Sequence, residues 1–188
     1  MNQKPMNAIA DSSAANRIGA LQGALAVVIG SVLLAIATRV EIPFWPVPMN
    51  MQTFVVLCLG LAYGPNLALA TVVAYLAEGL LGLPVFAHGG GPAYLAGPTG
   101  GYLIGFAAAA YIAGFLARRG WVQGPVRAVG AAFIAHVVIY ALGVAWLAVF
   151  LGDAGKAVTV GLLPFLFGDA LKVVTAGMLG WGYARWRE

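Results

Sequence analysis

Charged residues are scarce in this 188-residue chain, since Asp, Glu, Lys and Arg together account for only 9% of it. Soluble domains carry about 25% charged residues. With 62% hydrophobic residues, the composition excludes an ordinary soluble protein and predicts an all-α integral membrane protein. The length predicts one transmembrane domain over 1–188, which includes a short polar N-terminal segment at 1–16. The formal charge of +4 does not indicate nucleic-acid binding, because the basic residues stand at the ends of apolar segments.

Several catalytic and redox elements are also missing. The one cysteine, Cys58, excludes an intrachain disulfide and is interpreted as a small core residue. No Gly-x-x-x-x-Gly-Lys-Ser/Thr loop is present, so the chain itself is not expected to hydrolyse ATP. No His-Glu-x-x-His motif occurs, and serine is found only at positions 12, 13 and 31. The sequence therefore predicts that the protein is not an enzyme and that it holds no metal and no cofactor.

Six apolar segments are long enough, or nearly long enough, to cross a bilayer. They predict a bundle of six transmembrane helices, over residues 19–38, 49–63, 65–81, 99–117, 128–151 and 157–184. Two irregular links separate some of them, a proline-rich one over 39–48 and a glycine- and proline-rich one over 82–98. On one face of the bundle, these two links either cover a pocket or act as plain connectors.

The basic residues indicate an orientation. With six helices, both termini lie on the same side of the membrane as the links between helices 2 and 3 and between helices 4 and 5. That side holds Lys4, Arg17, Arg118, Arg119, Arg127, Arg185 and Arg187, and the opposite side holds Arg39 and Lys156. Because Lys and Arg concentrate in cytoplasmic loops, both termini are predicted to be cytoplasmic.

Asp169 and Lys172 interrupt the last apolar segment. A charge at the centre of a bilayer costs roughly 2.5–3.5 kcal/mol even on lenient insertion scales, so it indicates a polar site. A spacing of three makes the two residues neighbours on one helix face. Counted from Leu162, Asp169 is expected about 10 Å into the helix from its external end. The pair either fixes helix packing or forms a pocket, in which the carboxylate accepts N–H groups and the ammonium meets an oxygen.

A run of glycines opens the fourth segment. Gly97, Gly101 and Gly105 form two overlapping small-xxx-small units, which allow helices to approach closely. The glycines at the start of this helix also expose backbone N–H groups, which can bind a polar ligand atom. Tyr102 combines an apolar ring with a polar hydroxyl and suits the wall of a pocket.

Four further polar residues are candidates for the same pocket. His136 lies in the middle of the fifth segment, either as a buried, hydrogen-bonded side chain or as a proton relay or ligand contact. His88 lies in the external glycine-rich link, either solvated or in contact with a ligand. Gln52 and Asn50 open the second helix after the proline-rich link and lie close to any pocket beneath it. For Asn50, the other interpretation is a helix N-cap.

Four motifs, taken in their order and spacing, resemble those of the BioY family, the biotin-binding S-components of energy-coupling-factor (ECF) transporters. They are Pro46-Val47-Pro48 followed by Gln52-Thr53, Gly82-Leu83-Pro84-Val85-Phe86, the stretch Gly97 to Phe106, and Gly168-Asp169 with Leu171-Lys172. The likeness extends over nearly the whole chain. It implies six transmembrane helices and the capture of biotin from outside with high affinity.

The resemblance also implies partners. Translocation in this family usually needs a membrane T-component and two ATPases, while some members act alone, as homo-oligomers. Ala20 and Ala24 in helix 1 resemble the alanine motif that meets the T-component. A smooth strip of small residues suits the docking of any helix, so packing against the chain's own bundle is the other interpretation. Membrane lipid is the remaining expected contact.

The family likeness assigns roles within the candidate ligand-binding set, which is Asp169, Lys172, Tyr102, Gln52, Gly101, Trp45, Phe86 and His88. Asp169 is expected to accept the ureido N–H groups of biotin. Lys172 is expected to meet either the ureido oxygen or the carboxylate. The aromatic rings of Trp45, Phe86 and Tyr102 are expected to pack against the bicyclic ring.

The sequence departs from the family pattern beside the charged pair. Phe167 and Ala170 stand where the family usually has Pro and Leu, in Pro-Gly-Asp-Leu-Leu-Lys. A different interpretation is a proton-coupled carrier of another small organic solute, with Asp169 and His136 as a relay. Such carriers usually contain inverted repeats, and the halves 19–98 and 99–184 show no clear repeat.

Overall fold

The computed structural model describes residues 4–187, with side chains described from Gly19 onward. Within these residues the chain forms eight α-helices, and two short 3-10 segments lie at Trp121–Gln123 and Leu163–Phe165. The helices are α1 (Lys4–Ala37), α2 (Gln52–Tyr63), α3 (Pro65–Leu80), α4 (Pro92–Leu95), α5 (Gly100–Arg118), α6 (Pro125–Leu151), α7 (Ala154–Gly161) and α8 (Leu166–Trp186). The described chain is mostly helical, which confirms the predicted helical class in its coarse form.

Four segments are long and apolar enough to cross a membrane, by length and composition: Gly19–Ala37, Gly100–Arg118, Pro125–Leu151 and Ala154–Trp186. The helices α2 and α3 are also apolar but shorter, with 12 and 16 residues. They meet at Gly64, whose φ of 79° suits glycine, and Pro65 occupies the start of α3. The predicted break between the segments 49–63 and 65–81 is confirmed.

Two predicted boundaries are wrong. The last segment, predicted as one helix over 157–184, consists of α7 and α8 separated by a 3-10 segment that contains Pro164. Proline lacks the N–H that helix continuation needs and clashes with the preceding turn. Asp169 therefore lies in the first turn of α8, and not two turns inside a longer helix. The first helix begins at Lys4, before the predicted start at 19, and the side chains of the predicted polar segment 1–16 lie outside those described.

Helix α5 is the most enclosed element, with ten of its 19 residues buried. It packs against α2, α3 and α6, while α8 packs against α6 and α2, and α1 packs against α3 and α2. Glycines allow the closest approaches. A Cβ added at Gly105 would lie 3.0 Å from Ile139 Cα, and one added at Gly101 would collide with Trp146. Gly101 and Gly105 thus form a close helix–helix contact, as their spacing predicted, whereas Gly97 lies before α5 and accepts a hydrogen bond from the Trp146 indole.

The proline-rich link folds into a small antiparallel hairpin. Strand β1 (Glu41–Ile42) pairs with β2 (Met49–Asn50), with Glu41 opposite Asn50. The second link is fixed to the ends of α1 and α3, because Thr38 and Tyr75 both donate to the backbone oxygen of Val85 at 3.1 Å. Both links therefore lie at one end of the bundle, here called the hairpin end.

Candidate functional site

An ion pair between Asp169 and Lys172 lies in the first two turns of α8. Lys172 Nζ is 2.7 Å from Asp169 Oδ1, and both side chains are buried. The predicted contact between these residues is confirmed. Since α8 begins at Leu166, its unpaired N–H groups and its dipole favour a negative charge at Asp169. The helix and Lys172 together stabilise the buried carboxylate.

Two aromatic side chains of α6 contact the other carboxylate oxygen. Tyr140 donates a hydrogen bond of 2.6 Å to Asp169 Oδ2, and His136 Nε2 is 3.1 Å from the same atom. The histidine contact requires a proton on Nε2, because an ionised carboxylate only accepts hydrogen bonds. His136 and Tyr140 are four residues apart, on one face of α6. His136 is thus buried and hydrogen-bonded, which is one of its two predicted interpretations.

A chain of hydrogen bonds connects Lys172 to the hairpin and to α2. Lys172 Nζ donates to the backbone oxygen of Asn50 at 2.7 Å, and Asn50 exchanges two hydrogen bonds with Gln52. The side-chain nitrogen of Gln52, Nε2, donates in turn to the hydroxyl oxygen of Tyr75 and to the backbone oxygen of Leu34. Gln52 therefore makes its contacts within the protein, and through Asn50 it holds the ammonium group in place.

A cavity at the hairpin end adjoins this network, with about 540 Å³ of empty space when its open mouth is included. Its polar wall comprises Asn50, Gln52, Thr53, Tyr94, Thr99, Tyr102, His136, Tyr140, Asp169 and Lys172. Its apolar wall comprises Val47, Pro48, Met49, Phe106, Ile139 and Phe165. Both links contribute to the wall, the proline-rich one through Val47 and Pro48 and the glycine-rich one through Tyr94. The cavity thus suits a ligand with one polar and one apolar part.

Several buried polar atoms around this cavity have no hydrogen-bond partner in the protein. They are Asp169 Oδ1, His136 Nδ1 and Thr53 Oγ1. Asp169 Oδ1 nevertheless lies 2.7 Å from Lys172 Nζ in the ion pair, which engages one lone pair of this oxygen and leaves the other for a further donor. The first two atoms are acceptors when the histidine is neutral. Because an unpaired buried polar group costs about 1–3 kcal/mol, the cavity is suited to a ligand that donates N–H groups.

The other predicted ligand residues fall into two groups. Tyr102 lines the cavity, and its hydroxyl donates to the backbone oxygen of Gly161 at 2.8 Å. Gly101 packs against α6 and is not part of the cavity wall. Trp45 is 86% exposed on the hairpin, also away from the wall. The structure thus places Tyr102 beside Asp169 and Lys172 and separates Gly101 and Trp45 from them.

Phe86 and His88 lie in the glycine-rich link, outside the cavity wall. Phe86 is completely buried and stacks on Tyr94, with 5.0 Å between ring centroids. It supports the cavity from behind, since Tyr94 lines it. His88 is exposed, and its Nε2 is 3.6 Å from Glu41 on β1. Burial raises the pKa of Tyr94 above its ordinary value, so its hydroxyl stays neutral at physiological pH.

Sequence analysis missed Tyr140 and the backbone oxygen of Asn50. The signal for Tyr140 is its spacing of four from His136, which places both on the same face of one apolar helix. No residue type indicates a backbone oxygen, so the contact with Lys172 depends on the path of the hairpin. A second groove, almost entirely apolar, runs between α6 and α8 and reaches His136, Tyr140 and Asp169 from the side.

The chain is similar to known proteins of one family. Residues 6–188 match the model of the BioY family. The chain is 40% identical over 135 residues to a probable biotin transporter BioY of Pyrococcus horikoshii, covering 71% of this chain and 78% of that protein. It is 38% identical to the biotin transporter BioY of Thermotoga maritima, covering 71% and 79% of the two chains.

A solved structure has a similar fold. The crystal structure of the S-component for biotin from an ECF-type ABC transporter superposes with a TM-score of 0.78, at 22% identity, covering 89% of this chain and 93% of that one. This structure shares the fold of the chain. The family match over 6–188 and the 40% identical relative show, in agreement with the resemblance of the motifs, that the chain belongs to the BioY family.

Proposed function

We propose that this protein is the biotin-binding membrane subunit, or S-component, of an ECF transporter. It belongs to the BioY family. Two relatives, each covered by this chain over more than two thirds of its length, are named a probable biotin transporter and a biotin transporter. It is a transport protein and not an enzyme. The observation that carries the proposal is the pair of acceptors beside one cavity that can take a further N–H donor, Asp169 Oδ1 next to Lys172 and His136 Nδ1, since biotin supplies two ureido N–H donors.

The chemistry of biotin fits the two walls of the cavity. On its ureido ring, each N–H lies beside the carbonyl oxygen. A neighbouring N–H and C=O of the ureido group can pair with a carboxylate oxygen and an ammonium group that lie side by side. Asp169 Oδ1 and Lys172 Nζ lie side by side in this way, 2.7 Å apart. Lys172 has three N–H donors, of which one contacts Asn50. We infer that Asp169 Oδ1 accepts a ureido N–H and that Lys172 donates to the ureido oxygen.

The remaining parts of the ligand have matching surfaces. The apolar thiophane ring suits the side chains of Phe106, Ile139 and Phe165, while Tyr102 closes the polar side. In this proposal Phe86 acts through Tyr94, which it supports. Trp45 and His88 lie on the two links, where they are placed to contact the ligand only during its entry.

The proposal extends to the membrane arrangement. The six apolar helical segments cross the membrane, including the shorter α2 and α3, as a single domain with both termini in the cytoplasm. The hairpin end then faces outside, in the plasma membrane of a bacterium. Ala20 and Ala24 are exposed on α1, which suits contact with a T-component. Energy comes from that component with ATPase subunits, or the protein acts alone as a homo-oligomer.

Titration calorimetry with biotin on the purified protein tests the site. Hydrogen bonds to charged groups contribute about 1.5–3 kcal/mol, so Asp169→Asn and Lys172→Ala are each expected to weaken binding about tenfold or more. The chain offers a matched control in Asp153 and Lys156, which form an exposed pair with the same spacing. Asp153→Asn and Lys156→Ala should leave the affinity unchanged. Unaltered binding by the first two variants would refute the site.

The energy source and the partners need separate measurements. Native mass spectrometry after mild solubilisation should report bound biotin, partner subunits and the number of copies together. The Asp169–His136 contact is also what a proton-coupled carrier would use. Biotin uptake should persist when the proton gradient is dissipated and ATP is maintained; collapse of uptake under these conditions would favour the proton-coupled carrier.

A further inference from the structure

A groove at the opposite end of the bundle is not used by the proposed biotin site. It lies between the end of α2, the end of α5 and the end of α8, and its lining includes Tyr63, Gly64, Arg118, Tyr183 and Arg187. We call this the arginine groove. Its polar lining side chains are two guanidinium groups and two phenols, so it offers hydrogen-bond donors and positive charge.

Acidic residues are absent from this end among the side chains described. The described carboxylates are Glu41, Glu78, Asp153 and Asp169, which lie in or beside elements of the hairpin end. Over residues 19–187, no ion pair involves Arg118 or Arg187. The positive charge of the groove is therefore not neutralised by these carboxylates.

The two guanidinium groups are supported by different parts of the chain. Arg118 lies against the turn between α2 and α3, where a Cβ added at Gly64 would be 3.3 Å from Arg118 Nε. Arg187 lies over the ring of Tyr183, 5.7 Å from its centroid. Their neighbours Arg119 and Arg185 stack instead on Phe115 and Trp181. Of these four arginines, Arg118 and Arg187 line the groove, and Arg119 and Arg185 do not.

The surroundings of the groove indicate what kind of anion it takes. On α8, Leu179, Tyr183 and Trp186 are exposed and lie on one face of the helix. An apolar residue followed by aromatic ones at a helix end is typical of the membrane–water interface. Lipid phosphates lie at this level, and planar guanidinium groups bind phosphate oxygens in pairs.

We propose that the arginine groove binds the phosphate of an anionic membrane lipid, with its acyl chains along the exposed face of α8. The shared chemistry is a phosphate group, and the lipid is the source that we favour over free phosphate. This site is separate from the cavity at the hairpin end, so the proposal does not depend on biotin binding.

The test uses the full-length protein, purified and delipidated in detergent. Phosphatidylglycerol and phosphatidylcholine with the same acyl chains are added, and bound lipid is counted by native mass spectrometry. We expect about tenfold preference for phosphatidylglycerol or more, because each basic residue near an anionic lipid contributes appreciably to binding. The double variant Arg118→Gln/Arg187→Gln should lose this preference.

A matched double variant, Arg119→Gln/Arg185→Gln, removes the same charge from the same helix ends without altering the groove. It should keep the preference, and an equal loss in both double variants would show unspecific charge attraction and overturn the proposal. Equal binding of both lipids by the wild type would also overturn it. So would inorganic phosphate alone, if it raised the thermal unfolding midpoint as much as phosphatidylglycerol does. If the first double variant does not fold, Arg118→Lys replaces it, since it keeps the charge but loses paired hydrogen bonding and should weaken binding.

Discussion

At the scale of single residues, the two oxygens of Asp169 have different surroundings. Oδ2 accepts from Tyr140 and contacts His136 Nε2, whereas Oδ1 has the ammonium of Lys172 beside it at 2.7 Å. A carboxylate offers about four lone-pair sites, and the two at Oδ2 are engaged. The residues of α6 therefore fix the orientation of the carboxylate, and Oδ1 is the oxygen that we propose accepts from the ligand.

Tyr140→Phe tests this division of roles. The variant removes one hydrogen bond to Oδ2 but keeps the ring and the charge of Asp169, so the carboxylate is held less firmly. A net loss of about 0.5–1.5 kcal/mol corresponds to biotin binding weaker by roughly two- to tenfold. Tyr111→Phe is the control, because Tyr111 is exposed on α5. An unchanged affinity in Tyr140→Phe would show that His136 alone positions the carboxylate.

Gln52 is predicted to act through its neighbours and not through the ligand. Gln52→Leu removes the side-chain oxygen that accepts from the Asn50 amide, while the backbone N–H of residue 52 still donates to Asn50 Oδ1, so the backbone oxygen that holds Lys172 is fixed less firmly. We expect a thermal unfolding midpoint lower by a few degrees, since an unpaired buried polar group costs about 1–3 kcal/mol, together with weaker biotin binding. Gln22→Leu, at an exposed position on α1, should change neither quantity. Weaker binding at an unaltered midpoint would instead indicate direct contact with the ligand.

At the scale of helices, glycines decide where the aromatic side chains of the cavity can lie. Tyr102 of α5 rests on Gly143 of α6, and a Cβ added at Gly161 would be 2.5 Å from its hydroxyl oxygen. Gly161 ends α7, and the break that follows it brings α8 to the cavity with Asp169 in its first turn. The cavity wall thus depends on close contacts between three elements.

Gly143→Ala is predicted to displace Tyr102, because the added Cβ would collide with its ring. Overpacking of this kind typically costs 1–3 kcal/mol, and we expect biotin affinity to fall by about tenfold. Gly182→Ala is the matched control, since nothing lies within 4 Å of the Cβ it adds to α8. Isothermal titration calorimetry with biotin measures the affinity of both variants. Equal affinities would mean that Tyr102 does not shape the ligand site.

The same scale separates what the sequence predicts from what it does not. Apolar segment lengths, with Pro65 and Gly64 as breakers, place α2, α3, α5 and α6 within three residues of their observed ends. Pro164 carried the signal for the break before α8, but the apolar run on both sides suggested a continuous helix. Contacts between distant segments, such as Tyr140 with Asp169, depend on how helices pack, and no local pattern encodes them.

Loops were harder to predict than helices for a related reason. Phe86 was expected to pack against the ring of biotin because of the family resemblance. The structure turns this ring inward against Gly79 and Tyr94, and Tyr94 reaches the cavity instead. Proximity in sequence to a predicted pocket did not reveal which side chain of the link points inward.

At the scale of the whole molecule, charge is divided between the two ends of the bundle. Among the side chains described, the hairpin end carries Glu41, Glu78 and Asp153 together with Arg39 and Lys156, while the opposite end carries five arginines and no carboxylate: Arg118, Arg119, Arg127, Arg185 and Arg187. Because basic residues concentrate on the cytoplasmic side, this division favours an arrangement in which biotin enters from outside and the arginine groove faces the inner leaflet.

Single-cysteine labelling in intact cells tests this arrangement. The only native cysteine is removed by Cys58→Ala. One new cysteine is then introduced at an exposed position, by Ala154→Cys at the hairpin end or by Gln123→Cys at the opposite end of the bundle, where the arginine groove lies. Neither change alters the charges that direct orientation. A membrane-impermeant maleimide should label Ala154→Cys in intact cells and Gln123→Cys only after the cells are permeabilised, while the Cys58→Ala background should stay unlabelled. The reverse pattern would place the hairpin end in the cytoplasm and contradict capture of biotin from outside, because the open mouth of the cavity would then face inward.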